Sequence, residues 1–170
     1  MTAEERHEIT VKRGGNVRAD IKPERISGIT EQIAYWRKAN MIHKWFVDNV
    51  QDGEDDCREY YVSREQLALL VETCKEVLKS LDNSVMIEKE TEVGTRFTEG
   101  KREPIMETVK VYPDKDLELV QRLLPPQGGF FFGSTIIGEW YRNDIADTIK
   151  MIEPELKTNP NGELYYCASW

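Results

Sequence analysis

The sequence predicts an α+β fold, a compact helical core with a small, mainly antiparallel sheet, on three observations. Apolar side chains recur at helical spacing over residues 31–50, 63–81 and 138–156. Short alternating stretches rich in Val, Ile and Tyr read as strands near both ends and in the middle. Glycine and proline clusters punctuate the joins. At 170 residues the chain fits one globular domain, 1–170, long enough to bury a core. Within it, residues 1–22 form an N-terminal strand or arm and residues 82–115 a variable strand-loop region.

In chain order, HEITVKR places Ile9 and Val11 alternately with polar neighbours, and Gly14, Gly15 and Asn16 supply a turn. Pro23 suits the first turn of a helix, where its missing amide is no loss, and Gly28 weakens or divides that helix. From Glu31 to Val50 a long helix is expected. At 100° per residue, Ala39, Ile42, Phe46 and Val50 fall within about 60° of Tyr35, with Trp45 on one flank and Trp36 and His43 on the other. DGEDD ends it and REYYV is extended.

Ser63 and Gln66 form a capping box that opens a second helix, with Leu67, Leu70, Cys74, Val77 and Leu81 as its buried stripe. VMIEKE and ETVKVY read as two short strands of a hairpin with a long loop, broken by Gly94, Gly100 and Pro104. Leu117, Val120 and Leu124 mark a short helix over 116–124 that Pro125 and Pro126 stop. A last helix over 138–156 carries Trp140, Tyr141, Ile145, Ile149 and Ile152. The terminal ELYYCASW is a strand expected to join the early one.

The net charge of −8 argues against general attraction to a nucleic-acid backbone, and no basic stripe with a recognition module supports specific nucleic-acid binding. Three widely spaced cysteines do not make a secreted disulfide framework, so a reducing cytoplasm is expected. The N-terminal segment lacks the apolar run of a signal peptide, and no stretch approaches about 18 apolar residues, so a membrane role is not expected.

Four constellations carry candidate chemistry. Asp48, Asp52, Gly53, Asp56 and Glu59 fit five positions of a calcium loop, but Val50 stands where a side-chain ligand is needed. His43, Cys57, His7 and Cys167 lack paired zinc spacing. No metal and no cofactor is therefore assigned. Cys57 with His43 would need an activated thiolate and an orienting group such as Asn40 or Asn49; His43 held by a fixed hydrogen bond is the preferred reading. GGFFFGST, residues 128–135, has glycines before a Ser-Thr pair and a helix, but it lacks the phosphate-loop lysine. Its amides at a helix start, with His43 or Arg142, offer recognition of a small anionic ligand or nucleotide.

YWRKANMIHKWFVDNVQDGEDDCREYYVSREQL and LLPPQGGFFFGSTIIGEWYRNDIADTIKMIE resemble the two sequence blocks of an uncharacterised protein family of bacteriophages and prophages. The resemblance covers residues 31–81 and 123–153. It is carried by Tyr35, Trp36, Arg37, Lys38, Asn40, His43, Trp45, Phe46 and Asn49, then by Asp56, Cys57, Tyr60 and residues 130–135. It implies a small accessory protein in the cytoplasm of an infected or lysogenic bacterial host, and it brings no assigned reaction.

The expected function is a nonenzymatic protein-interaction module that binds a host or phage protein through an aromatic-rimmed surface. Its candidate residues are Trp36, Arg37, Lys38, Asn40, His43, Trp45, Asn49, Asp56, Tyr60, Phe131, Ser134, Thr135, Trp140 and Arg142. The alternatives are the small-ligand protein or enzyme built on GGFFFGST, and a structural phage component. The apolar face of the 31–50 helix also suits a homodimer.

Overall fold

The computed structural model describes residues 12–13, 16–18, 20–22, 25–27, 29–98, 101–129, 134–158 and 162–169. The chain divides into two compact units, Met1–Gln32 and Ile33–Trp170. In the first unit, β1 (Lys12–Arg13) pairs antiparallel with β2 (Asn16–Val17); Gly14 and Gly15 of the expected turn lie outside the described residues. Ile9 and Val11 lie outside the described residues. Of the helix expected after Pro23, the described residues of 22–32 form no α-helix.

The second unit is α+β, with four α-helices and two antiparallel two-stranded ladders among the described residues. Its elements run α1 (Asn40–Asn49), β3 (Tyr60–Val62), α2 (Arg64–Asp82), β4 (Ile87–Thr98), β5 (Lys101–Val111), a 3₁₀ turn at Asp114–Asp116, α3 (Glu118–Leu123), α4 (Glu139–Thr158) and β6 (Leu164–Tyr166).

α2 forms as its sequence predicts. The Ser63 hydroxyl accepts from the Gln66 amide at 3.1 Å, and the Gln66 carboxamide accepts from the Ser63 amide at 2.8 Å. That box satisfies two amides left bare by a helix start. Gln66 also donates to the Asn49 carbonyl at 2.6 Å, tying the start of α2 to the end of α1. Leu67, Leu70, Cys74, Val77 and Leu81 are all buried. They face α4, which runs antiparallel: Lys75 meets Glu153, and Asp82 at the end of α2 meets Arg142 near the start of α4. α4 contributes Tyr141, Ile145, Thr148 and Ile152 to the interior, and Leu117, Val120 and Leu124 close it from the α3 side.

Three expectations are corrected. The first helix is not Glu31–Val50 but Asn40–Asn49. Lys38 adopts φ 67°, and the Asn40 amide bonds back to the Lys38 carbonyl, so the chain reverses there. The reason is tertiary: Trp36 packs edge-on against Phe46 with centroids 5.5 Å apart. A continuous helix would hold two residues ten apart about 15 Å from each other along its axis. Tyr35, assigned to the buried face, is consequently exposed.

The terminal strand β6 pairs with β3, not with the N-terminal strand, in the register Tyr60↔Tyr166, Tyr61↔Tyr165, Val62↔Leu164. Finally, the two short strands of 82–115 are a long ribbon. β4 and β5 pair from Ile87↔Val111 to Thr98↔Lys101, with one irregularity between Glu92 and Gly94. Nearly every residue of the ribbon is exposed or half-buried. At its root, Val111 bridges Gly138, where a side chain would meet the Lys110 carbonyl at 2.6 Å, so glycine is required by close approach.

Candidate functional site

Most of the first sequence block folds into one polar-aromatic cluster where α1, the 51–59 loop and β6 meet. Broad burial of α1 follows from its sequence, since Met41, Ile42, Trp45, Phe46 and Val47 occupy more than one face. Phe46 stacks on Tyr166 with centroids 3.9 Å apart and planes within 5°. The Trp36 indole donates to the Thr148 hydroxyl at 2.9 Å, and that hydroxyl donates onward to the Asp144 carbonyl at 2.7 Å.

His43 sits at the rim of this cluster with both ring nitrogens engaged. Nε2 lies 2.9 Å from Asp55 Oδ1 and Nδ1 lies 2.8 Å from the Tyr166 hydroxyl. A carboxylate only accepts, so Nε2 carries a proton; in the neutral ring Nδ1 then accepts from the Tyr166 hydroxyl. Burial, with Asp55 nearby, pushes the Tyr166 phenol above its ordinary value. The phenol therefore stays protonated and is no nucleophile. This arrangement pins β6 and the acidic loop to α1.

The acidic loop is held by internal pairing. Asp52 and Gly53 take positive φ, and the Gly53 amide bonds to the Val47 carbonyl to close the end of α1. Asp56 accepts from the Arg58 amide at 3.0 Å, from the Arg58 guanidinium at 2.5 Å and from the Tyr60 hydroxyl at 3.1 Å. These bonds, led by the amide, hold its carboxyl below the usual range. Arg58 also pairs with Glu54, and Asp48 pairs with Lys44. Among the described residues no group of three or more His, Cys, Asp or Glu is placed to hold a metal ion.

The expected surface is thus dispersed. Trp45 is buried at 7% exposure. Asn49 donates to the Trp45 carbonyl and Asn40 to the Gln127 carbonyl, both as ties of the fold. Arg37 and Lys38 are exposed beside the reversal. Asp56 and Tyr60 belong to the loop network. Cys57 does not touch His43, whose partners are already filled.

The second block meets the first at Gln127 and Thr148, through the Asn40 and Trp36 side chains. Phe131, with the rest of Phe130–Gly133, and Trp170 fall outside the described residues. Ser134 and Thr135 are exposed, and the Ser134 hydroxyl accepts from the Ile136 amide at 3.1 Å. α4 starts only at Glu139, so this pair is not at the helix start where bare amides collect. Arg142 donates twice to Asp82, at 2.7 and 3.0 Å. β3 leads into the start of α2 and Asp82 is its end, so the His43 ring, tied through Tyr166 to β3, and Arg142 lie toward opposite ends of that 19-residue helix. They do not form one ligand site. A shallow cavity of about 280 Å³ is lined by Ser80, Lys115, Asp116, Glu118, Leu119 and Arg122 and includes neither His43 nor Arg142 in its lining.

Sequence periodicity missed the most exposed apolar residues. Trp140, which helical spacing groups with Tyr141 and the last helix and which the expected recognition surface includes, is 86% exposed, and Val85 is 82% exposed. Their segments run side by side at the ribbon root: Arg142 bonds Asp82, the Tyr112 amide bonds the Ile137 carbonyl, and Ile87 pairs with Val111. The available signal was the one-residue step from Trp140 to Tyr141, which puts only one of two adjacent aromatics on a given helix face. No helix among the described residues is long and apolar enough to cross a membrane. No protein-family model, curated protein or solved structure matches the chain.

Proposed function

We propose that the chain is a nonenzymatic protein-interaction module that captures a host or phage protein at the root of the β4–β5 ribbon. The observation that carries this reading is Trp140, almost fully exposed on a rigid helix next to a ribbon that is solvated on both faces. Exposed tryptophan is uncommon on a monomer, and tryptophan and arginine dominate interface hot spots. Val85, Ile87 and Met106 add exposed apolar side chains at and along the ribbon. A two-stranded ribbon is marginal in water by itself and gains from being covered.

The resemblance to the phage and prophage family supports the context of a cytoplasmic accessory protein. The small-ligand alternative gains no support from geometry, because His43 and Arg142 are engaged in separate parts of the fold. The test is native mass spectrometry of the tagged chain purified from its phage-infected host, run beside Trp140→Ala and Trp36→Phe. A stoichiometric partner that survives Trp36→Phe but is lost with Trp140→Ala, at unchanged circular dichroism, is the expected result. Equal capture by the Trp140 variant removes this surface from the reading, and a retained metabolite in place of a protein replaces the reading itself.

A further inference from the structure

The three cysteines divide into two kinds. Cys74 lies in the interior of α2, fully buried, and burial pushes its thiol up to about 12. Cys57 and Cys167 are exposed and free. The β3–β6 ladder brings them together across 110 positions of sequence: Cys57 stands three residues before Tyr60, Cys167 directly follows its partner Tyr166, and Cys167 Sγ lies 3.4 Å from the Cys57 carbonyl oxygen. Since a carbonyl oxygen lies about 2.4 Å from its own Cα, that sulfur is within about 6 Å of the Cys57 Cα. Forming the bond then requires rotation of the exposed Cys57 side chain and an adjustment of the loop that brings the two sulfurs to bonding distance.

We propose that Cys57 and Cys167 are a dithiol–disulfide site that reacts with a low-molecular-weight disulfide such as glutathione disulfide. One thiol loses its proton and its sulfur attacks the glutathione disulfide. The S–S bond breaks, one glutathione thiolate leaves and takes up the proton, and a mixed disulfide remains. The second cysteine then loses its proton and attacks the protein-side sulfur of that mixed disulfide, releasing the second glutathione. Two electrons and two protons pass from the protein to two glutathione molecules, and excess thiol reverses the exchange.

The bond would staple the 51–59 loop to the end of β6, on the two segments that supply Asp55 and Tyr166 to His43. It would also close a loop of more than a hundred residues, the length at which a crosslink restricts the unfolded chain most. In a reducing compartment a disulfide of this exposed type is a sensing rather than a permanent bond. Oxidation therefore raises the midpoint of thermal unfolding.

The test titrates the full chain with glutathione disulfide under native conditions, alkylates the remaining thiols after denaturation, and maps the peptides. The expected product has lost two hydrogen masses, shows a Cys57–Cys167 linked peptide and alkylation at Cys74 alone, and melts higher than the reduced chain. Cys57→Ser should instead carry one glutathione adduct, at Cys167, and show no rise in melting. A wild-type chain that carries separate adducts on Cys57 and Cys167, that crosslinks between copies, or that keeps three free thiols in excess oxidant overturns the proposal.

Discussion

Tyr166 joins two kinds of interaction that pull in one direction. Its ring stacks on Phe46 and its hydroxyl donates to His43. Tyr166→Phe keeps the stack and leaves His43 Nδ1 without that partner at a half-buried site. The expected cost is about 1 kcal/mol, read as a shift in the urea midpoint at constant slope. Asp144 poses the opposite case. Burial, with Asp147 adding repulsion, pushes its carboxyl up to about 6. A carboxyl whose folded value is raised contributes stability fully below its unfolded value, near 4, and loses it as pH rises through about 6. Asp144→Asn should therefore stabilise the protein above pH 6 and give no advantage at pH 4. Because the group is half exposed, the gain is discounted to about 1 kcal/mol. Thermal melts at pH 4 and pH 8 check it, and an equal gain at both values would disprove the linkage.

Elements differ in how much of the fold they carry. The ribbon β4–β5 places its side chains in water on both faces, while the interior is built by α1, α2, α3 and α4 with Val62, Tyr112 and Ile137. Replacing residues 90–108 by a two-residue turn should leave the melting temperature within a few degrees and remove only strand signal, as circular dichroism would show. A collapse of stability would mean that the ribbon supports the core. Gly138 is the sensitive point at the root. Gly138→Ala drives a methyl against the Lys110 carbonyl, and the forced backbone shift should cost about 2 kcal/mol, whereas Gly128→Ala meets nothing within 4 Å and serves as the control. Local sequence made some elements legible and not others. The Ser63–Gln66 box and the α2 stripe are decided by residues three and four apart, so they read directly. The start of α1 is decided by Trp36 reaching Phe46 and Thr148, and spacing within 31–50 gave no sign of that contact.

At the scale of the molecule, every described residue of the hydrophobic core lies in Ile33–Trp170. A chain that starts at Ile33 should still unfold cooperatively, with the protected amides of α2 and α4 unchanged in hydrogen exchange; loss of that protection would show that residues 1–32 support the core. The candidate site illustrates how exposure escapes a sequence. Trp36, Trp45 and His43 belong to one aromatic block, yet the fold uses them for packing and for fixed hydrogen bonds. Trp140 has the same composition signal and ends up in solvent. Residue type therefore indicated which side chains can make strong contacts, but not which of those contacts are already made inside the chain.

By itself, the sequence determined the α+β class, the existence of α2, α3 and α4, the extended character of residues 60–62 and 164–166, and the burial of Cys74. Those features rest on spacing and caps that act within a few residues. The tertiary structure alone decided the reversal at Lys38, the pairing of β6 with β3, the Asp55–His43–Tyr166 chain and the meeting of Cys57 with Cys167. Each of these joins or separates groups far apart along the chain, and their free energy comes from which surfaces are buried together, which local periodicity does not encode.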